Sequence, residues 1–197
     1  DEGLVKIYDS VANDFYYTDV NNMMIFPGNH DTDRIADIVG KDPAKMKIIM
    51  TLMATLRGFP QIYTGDEYMA VSRDRSQGHG GLRVEFNEDW AQDPAAKDLH
   101  DYVRTLLQWR KGCRVVQEGD FRHFLSRDNT YAYFRHSEDG IVFVYVNNNP
   151  QPREIPWSDY REITSGLSCG TNVITGENVD VTAPMTVGGR ECLVVQF

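Results

Sequence analysis

Two short apolar runs separated by one helical segment constrain the fold of this chain more than any other feature. The first run covers residues 23–26 and is stopped by Pro27-Gly28, and the second covers residues 59–63. Uninterrupted apolar runs of this length are typical of strands that are buried on both faces. Between them, Asp42 supplies an N-cap and Pro43 a first-turn proline for a helix. The pattern therefore predicts two parallel strands joined by a helical crossover.

Helices are also predicted on both sides of these strands. The first has an apolar stripe at helical spacing, formed by Leu4, Ile7, Tyr8, Val11 and Phe15. The last begins at Asp93-Pro94 and ends at Gly112, and Gly58 is expected to end the methionine-rich crossover helix. Methionines at this density favour core packing over a cofactor site. Two strands cannot close a sheet, so residues 1–112 are predicted to be the end of a larger α/β barrel.

The pattern changes after Gly112. Residues 121–126, 130–136 and 141–147 are rich in β-formers, and Ser-Glu-Asp-Gly at 137–140 predicts a hairpin turn. Shorter strands follow, and no helical period is present. We therefore predict a separate antiparallel β-sandwich over residues 113–197, with a domain boundary at residue 112.

Charge and composition exclude some partners and leave the compartment open. The formal charge of −9 disfavours binding to nucleic acid. The longest apolar stretch, residues 48–56, is too short to span a bilayer. The three cysteines form no CxxC pair and predict neither a disulfide framework nor a zinc site. A periplasmic and a cytoplasmic location are both compatible with this sequence.

Polar residues follow each of the two predicted strands. Residues 28–34, Gly-Asn-His-Asp-Thr-Asp-Arg, follow the first, and residues 63–67, Tyr-Thr-Gly-Asp-Glu, follow the second. In a (β/α)8 barrel the working residues lie at the carboxyl ends of the strands, which makes both clusters candidates. Spacing alone favours the alternative for the first cluster, an Asx turn in which Asp31 or Asp33 caps the next helix.

Three further side chains are candidates beside Asp31. Glu67 can face the same barrel mouth, or it can be satisfied by loop amides or by Arg73 or Arg75. Arg83 suits a role in binding hydroxyl groups, although an isolated arginine is more often part of a surface ion pair. His30 and His79 lack HxH or HExxH spacing, so no metal site is predicted.

At these residues the chain resembles the α-amylase superfamily of glycoside hydrolases. Residues 25–31, Ile-Phe-Pro-Gly-Asn-His-Asp, are similar to its strand-7 motif, and residues 58–67 are similar to its strand-8 segment. Residues 106–110 resemble its last barrel helix, and the β-rich half resembles its C-terminal sandwich. Residues 29–34 and 82–86 are most similar to neopullulanase and cyclomaltodextrinase types. The resemblance implies strands 7 and 8 of a (β/α)8 TIM barrel, followed by an antiparallel β-sandwich.

The resemblance also implies a function for the longer protein. Its members cleave α-glucosidic bonds with retention. The bonds expected here are α-1,4 bonds, with α-1,6 bonds left open, in maltodextrin, cyclodextrin or pullulan. Asp31 corresponds to the carboxylate that stabilises the sugar in the transition state, and His30 and Arg83 to substrate-binding residues. Glu67 and Arg34 are expected to lie behind these residues and hold them in position without contacting the substrate. His79 stands where many relatives have an aspartate, four residues before this arginine.

The residues that the family uses for bond cleavage have no counterpart in this sequence. They are a nucleophilic Asp after strand 4 and a Glu acid/base after strand 5, so residues 1–197 alone are expected to be inactive. No cofactor is expected, and a structural calcium in the longer protein is left open. The expected partner is an α-glucan oligosaccharide or polysaccharide.

Two alternatives belong to other functional classes. One is a non-catalytic carbohydrate-binding module centred on the β-rich half, whose tyrosines and Trp157 could stack on sugars. The other is an inactive relative with a structural role, such as a subunit associated with a transporter.

Overall fold

The computed structural model describes residues 3–197, which begin with a helical part that contains two short strands. Its helices are α1 (Gly3–Ala12), α2 (Ile35–Ile38), α3 (Pro43–Thr55), α4 (His79–Leu82) and α5 (Pro94–Gly112). Its strands are β1 (Met24–Ile25) and β2 (Phe59–Pro60). Short 3₁₀ turns cover Asp14–Tyr16, Asp66–Tyr68, Arg75–Gln77 and Glu88–Gln92.

The two short strands are parallel neighbours, as predicted. Met24 pairs with Phe59 and Ile25 with Pro60, and α3 lies between the strands in sequence. The side chain of Asp42 accepts hydrogen bonds from the amides of residues 44 and 45, which confirms the predicted N-cap of α3. The carboxyl ends of β1 and β2 therefore lie at one edge of the sheet.

The strands are shorter and more exposed than predicted. Met24 is 45% exposed, Phe59 is 50% exposed and Phe26 is 41% exposed, so burial on both faces is wrong within residues 3–197. The pair forms a sheet of only two strands, which leaves each of them a free edge in this part of the chain. Two boundaries also differ, because α1 ends before Phe15, which is exposed, and α3 ends at Thr55 rather than at Gly58.

Gly58 serves the strand pairing instead of ending the helix. Its φ is +90°, and a Cβ atom on it would lie 2.3 Å from the carbonyl oxygen of Met23. Only glycine allows the backbone to approach β1 this closely in that conformation. Arg110 of α5 then donates to the carbonyl oxygens of Gly58 at 2.5 Å and Ala54 at 2.8 Å. These bonds hold the start of β2 against two helices.

The second part of the chain contains six longer strands, which are β3 (Asp120–His123), β4 (Thr130–Ser137), β5 (Gly140–Asn147), β7 (Cys169–Asn172), β8 (Asn178–Asp180) and β10 (Glu191–Gln196). They form an antiparallel sheet with the order β3-β4-β5-β10-β7-β8. A second antiparallel pair consists of β6 (Arg153–Glu154) and β9 (Thr186–Val187). The predicted hairpin is present, since Ser137 pairs with Gly140. This part also contains α6 (Arg114–Glu118), a 3₁₀ turn at Trp157–Tyr160 and α7 (Arg161–Thr164), which the sequence pattern did not indicate.

The large sheet is buried on both faces, and each face belongs to a different hydrophobic cluster. One face packs against helices α1, α3, α5 and α6, and its core residues include Tyr133, Val144 and Val194. The other face, with Phe134, Phe143 and others, packs against residues of the smaller sheet and nearby loops. Tyr133 also forms a 2.5 Å hydrogen bond with Thr55 at the end of α3. The two parts of the chain therefore share the cluster on one face of the sheet, while the separate sandwich over residues 113–197 and the boundary at residue 112 stay predictions.

Candidate active site

The loop after β1 is shaped by Asn29 and Thr32 and not by the aspartates. The amide of Asp31 donates to Oδ1 of Asn29 at 2.8 Å, and the amide of Asn29 donates to Oγ1 of Thr32 at 2.8 Å. The sequence pattern indicated an Asx turn here but assigned it to Asp31 or Asp33. Because Asn29 forms the turn, the carboxylate of Asp31 accepts no backbone hydrogen bond within residues 3–197.

Three basic side chains converge on the carboxylate of Asp31. His30 Nε2 lies 3.2 Å from Oδ2, while His79 Nδ1 lies 3.5 Å and Arg83 Nη2 lies 3.4 Å from Oδ1. Asp31 is 57% exposed and His30 is 58% exposed, so the group is open to solvent. Exposed contacts of this length contribute little to stability. What the arrangement offers is an accessible anion next to several hydrogen-bond donors, which suits polyhydroxylated molecules and developing positive charge.

Arg34 lies beneath this exposed group and is buried. Its Nη1 donates to Oδ1 of Asp66 at 2.9 Å, and both side chains are 1% exposed. Its Nη2 donates to the carbonyl oxygen of Thr64 at 2.8 Å, and its Nε donates to that of Leu82 at 3.2 Å. The guanidinium also lies 4.2 Å from the ring centre of Tyr63. Arg34 thus connects the loops after β1 and β2 with the segment that carries Arg83.

Asp66 is the residue of this site that sequence reasoning missed. Burial raises its pKa from 3.8 to about 6, although the Arg34 guanidinium opposes the rise. Its Oδ2 atom has no hydrogen-bond partner within residues 3–197. The only sequence signal was its place next to Glu67, and a pair of adjacent acids does not reveal which of them faces inward.

Glu67 is held by its own loop. Its Oε2 atom accepts a hydrogen bond of 2.9 Å from the amide of Gly65, which is one of the two arrangements that we considered. Arg73 and Arg75 do not contact it, since Arg75 donates to Asp33 at 2.8 Å and Arg73 to Gln77 at 3.3 Å. Glu67 therefore stabilises the loop after β2.

Trp157 is partly buried against the core cluster between the two sheets. Its ring centre lies 5.0 Å from that of Phe143. Tyr131, Tyr133 and Tyr145 are also buried. These positions do not support a carbohydrate-binding module centred on the β-rich part.

Residues 3–197 contain no group of three or more His, Cys, Asp and Glu side chains that could hold a metal ion. Over the same residues, no helix combines the length and the apolar character needed to cross a membrane. The three cysteines are unpaired in this structure.

Comparison with known protein families identifies the family to which the chain belongs. A family model described as "Alpha amylase, catalytic domain" matches residues 4–140, and one described as "Cyclo-malto-dextrinase C-terminal domain" matches residues 121–196. The first match covers more than half of the chain. The chain belongs to the α-amylase family.

Individual relatives agree with this assignment. A β/α-amylase of Paenibacillus polymyxa is 28% identical over 92% of this chain and 15% of its own length. A cyclomaltodextrinase of Geobacillus thermopakistaniensis is 29% identical over 76% of this chain and 24% of its own length. The chain therefore spans about a quarter or less of these relatives. The crystal structure of an α-amylase from Geobacillus thermoleovorans in complex with acarbose shares the fold, with a TM-score of 0.77 at 17% identity over 96% of this chain and 42% of that one.

Proposed function

We propose that residues 1–197 are the C-terminal portion of a longer α-glucan hydrolase that acts with retention. In this proposal β1 and β2 are strands 7 and 8 of a (β/α)8 barrel, and residues 113–197 form its C-terminal β-sandwich domain. Their parallel pairing across a single helical crossover supports the barrel. The substrate in this proposal is maltodextrin, cyclodextrin or pullulan, cleaved at α-1,4 bonds, with α-1,6 bonds left open. A cyclomaltodextrinase and a neopullulanase among the relatives support this substrate class.

The observation that carries the proposal is the convergence of His30, His79 and Arg83 on the exposed carboxylate of Asp31. The site lies where two parallel strands end, which is where barrel enzymes place their working residues. A carboxylate that is exposed, and not used to cap a helix, can face a bound sugar. Asp31 then stabilises the positive charge that develops on the sugar as the glycosidic bond breaks.

The neighbouring donors orient the sugar in this proposal. Nε2 of His30 faces Asp31, which leaves Nδ1 for a sugar hydroxyl, and the planar guanidinium of Arg83 presents several donors at the rim. Glu67 and Arg34 hold the two loops in place from behind. Acarbose bound to the α-amylase of similar fold supports an α-glucan oligosaccharide as the ligand class.

Cleavage itself requires residues from outside the chain. A retaining glycosidase uses two carboxyl groups about 5 Å apart, one as nucleophile and one as acid/base. The side chains around Asp31 are two imidazoles and a guanidinium, and none of them replaces a second carboxylate. We therefore propose that residues 1–197 alone release no reducing sugar from maltodextrin. Release that persists after repurification would contradict this.

The test is a pair of matched substitutions in the longer protein. Asp31→Asn is expected to lower kcat on maltodextrin by a factor of about 10² to 10³, since it removes charge stabilisation of the transition state. Asp33→Asn is the control, because Asp33 is an exposed acid of the same loop that pairs with Arg75. Equal activity of the two variants would contradict the role of Asp31. NMR of the first product released would test retention of the α anomer.

A further inference from the structure

The segment that carries His79 and Arg83 is joined to the Asp31 loop by a buried hydrogen bond as well as by exposed side-chain contacts. Both side chains lie near the same oxygen of Asp31, Oδ1, at 3.5 Å and 3.4 Å. The residue between them that faces inward is Leu82, which is 7% exposed. Its carbonyl oxygen accepts the 3.2 Å hydrogen bond from Nε of Arg34, which follows Asp31 by three residues. One buried side chain thus joins the two halves of the cluster.

Other contacts of this segment do not replace that connection. The amide of Arg73 donates to the carbonyl oxygen of Gly81 at 2.8 Å, and a Cβ atom on Gly81 would lie 1.6 Å from the carbonyl oxygen of Asp74. These contacts join residues 73–74 to residue 81 within the same segment. The Arg75–Asp33 pair does reach the Asp31 loop, but its side chains are 58% and 46% exposed, and water weakens such a pair.

Asp66 fixes the direction in which Arg34 points. The buried carboxylate binds one end of the guanidinium, Thr64 binds Nη2, and the remaining Nε–H is directed at Leu82. The guanidinium is planar, so fixing two of its nitrogen atoms also fixes the third. A lysine at this position would present a single point charge and could not make these three contacts at once.

We infer that the buried Arg34–Asp66 pair is a positioning device that sets His79 and Arg83 against Asp31. Neither residue of the pair touches the sugar in this inference, which rests on the proposed function for its catalytic meaning. The geometry is testable without activity. Failure of glucan hydrolysis and failure of this positioning role are therefore separate results.

The test measures how the imidazole nitrogens of His79 respond to Asp31→Asn, by ¹H–¹⁵N NMR of residues 1–197. In the otherwise unchanged chain, the substitution is expected to shift the His79 signals, because the carboxylate beside Nδ1 disappears. The same comparison is then made in the presence of Arg34→Lys. Its matched control is Arg75→Lys, which changes the same residue type in the exposed pair.

A second background separates positioning from folding. Arg34→Met combined with Asp66→Leu removes both buried charges together, and such replacements of ion pairs are often neutral or stabilising. This double variant is expected to fold, as checked by the dispersion of its NMR spectrum. If the pair only supported the fold, the double variant would keep the response of His79.

We expect the response of His79 to Asp31→Asn to be lost in Arg34→Lys and in the double variant, and to be kept in Arg75→Lys. The response of His30, which is adjacent to Asp31 in the chain, should persist in every background and serves as the internal reference. A full His79 response in the folded double variant would overturn the inference. Loss of the response in Arg75→Lys as well would also overturn it, because the effect would then not be specific to the buried pair.

Discussion

At the scale of single residues, Asp66 shows how the site combines burial with charge. Its carboxylate is removed from water and has one oxygen without a hydrogen-bond partner within residues 3–197, and both features favour the protonated form. Arg34 favours the ionised form, yet burial is the larger effect and the pKa of Asp66 rises to about 6. The ion pair beneath the Asp31 cluster therefore changes its charge within a mildly acidic range.

This shift makes stability depend on pH in a defined direction. Between 3.8, the ordinary pKa of an aspartate, and about 6, the folded chain retains a proton at Asp66 that the unfolded chain releases. The contribution of this group to the free energy of unfolding is therefore full below about pH 4 and declines as the pH rises through about 6. Urea unfolding over this range should show that the Asp66→Asn variant lacks this decline. Parallel pH profiles for both proteins would contradict it.

At the scale of secondary-structure elements, the contact of Gly58 with Met23 determines whether β2 can pair with β1. Substitution by Ala adds a Cβ atom 2.3 Å from the carbonyl oxygen of Met23, at a φ of +90° that is strained for any side chain. We expect Gly58→Ala to lower the free energy of unfolding by about 2 kcal/mol or more. Gly112→Ala is the matched control, because nothing lies within 4 Å of its added Cβ atom and the residue is helical. Equal unfolding midpoints in urea for the two variants would show that this contact is unimportant.

The strands also differ in how well their backbone is protected. Strand β5 lies between β4 and β10 and is buried over residues 142–147, whereas β1 has one neighbour within residues 3–197 and Met24 is exposed. Hydrogen exchange should therefore be slow at residues 141–146 and faster at residues 23–26. The reverse order would contradict the open edge of the β1–β2 pair.

Short sequence patterns predicted where helices and strands lie better than they predicted which neighbours bury them. Asp42-Pro43 and Asp93-Pro94 mark the starts of α3 and α5 correctly, because capping depends on a few adjacent residues. The apolar run at 23–26 indicated a strand, but burial depends on neighbours that the run itself does not encode. In the site, we predicted His30 and Asp31 from the residues after the first strand and Arg83 from a later segment, and the three side chains lie together in the structure. Their roles stay predictions. Asp66 and the turn-forming role of Asn29 depend on side-chain directions that spacing alone does not define.

At the scale of the whole molecule, the large sheet joins the two parts of the chain. Residues of β4, β5 and β10 alternate between the helix-facing cluster and the cluster that faces the smaller sheet, so every strand of this group is needed on both sides. We expected the β-rich part to contain a self-contained core. The cluster between the two sheets lies within the β-rich part, whereas the cluster on the other face, with Tyr133 and Val144, also contains residues of α1, α3 and α5.

This shared core predicts the behaviour of a shortened chain. A protein of residues 113–197 would expose the sheet face that α1, α3 and α5 cover, and a contiguous apolar surface of this kind promotes association. We expect it to bind a hydrophobic dye and to aggregate, while residues 1–197 unfold in one calorimetric transition. Two separate transitions for residues 1–197, with a soluble monomer of residues 113–197, would contradict this expectation and show that the sandwich folds independently.

In the proposed function, the cluster around Asp31 is the part of this chain that contacts α-glucan. Titration of ¹⁵N-labelled residues 1–197 with maltotriose tests this contact by mapping amide shifts onto the structure. We expect shifts at residues 30–31 and 79–83 that disappear in Asp31→Asn and persist in Asp33→Asn. Shifts centred on residues 157–160, or shifts that are the same in both variants, would contradict it.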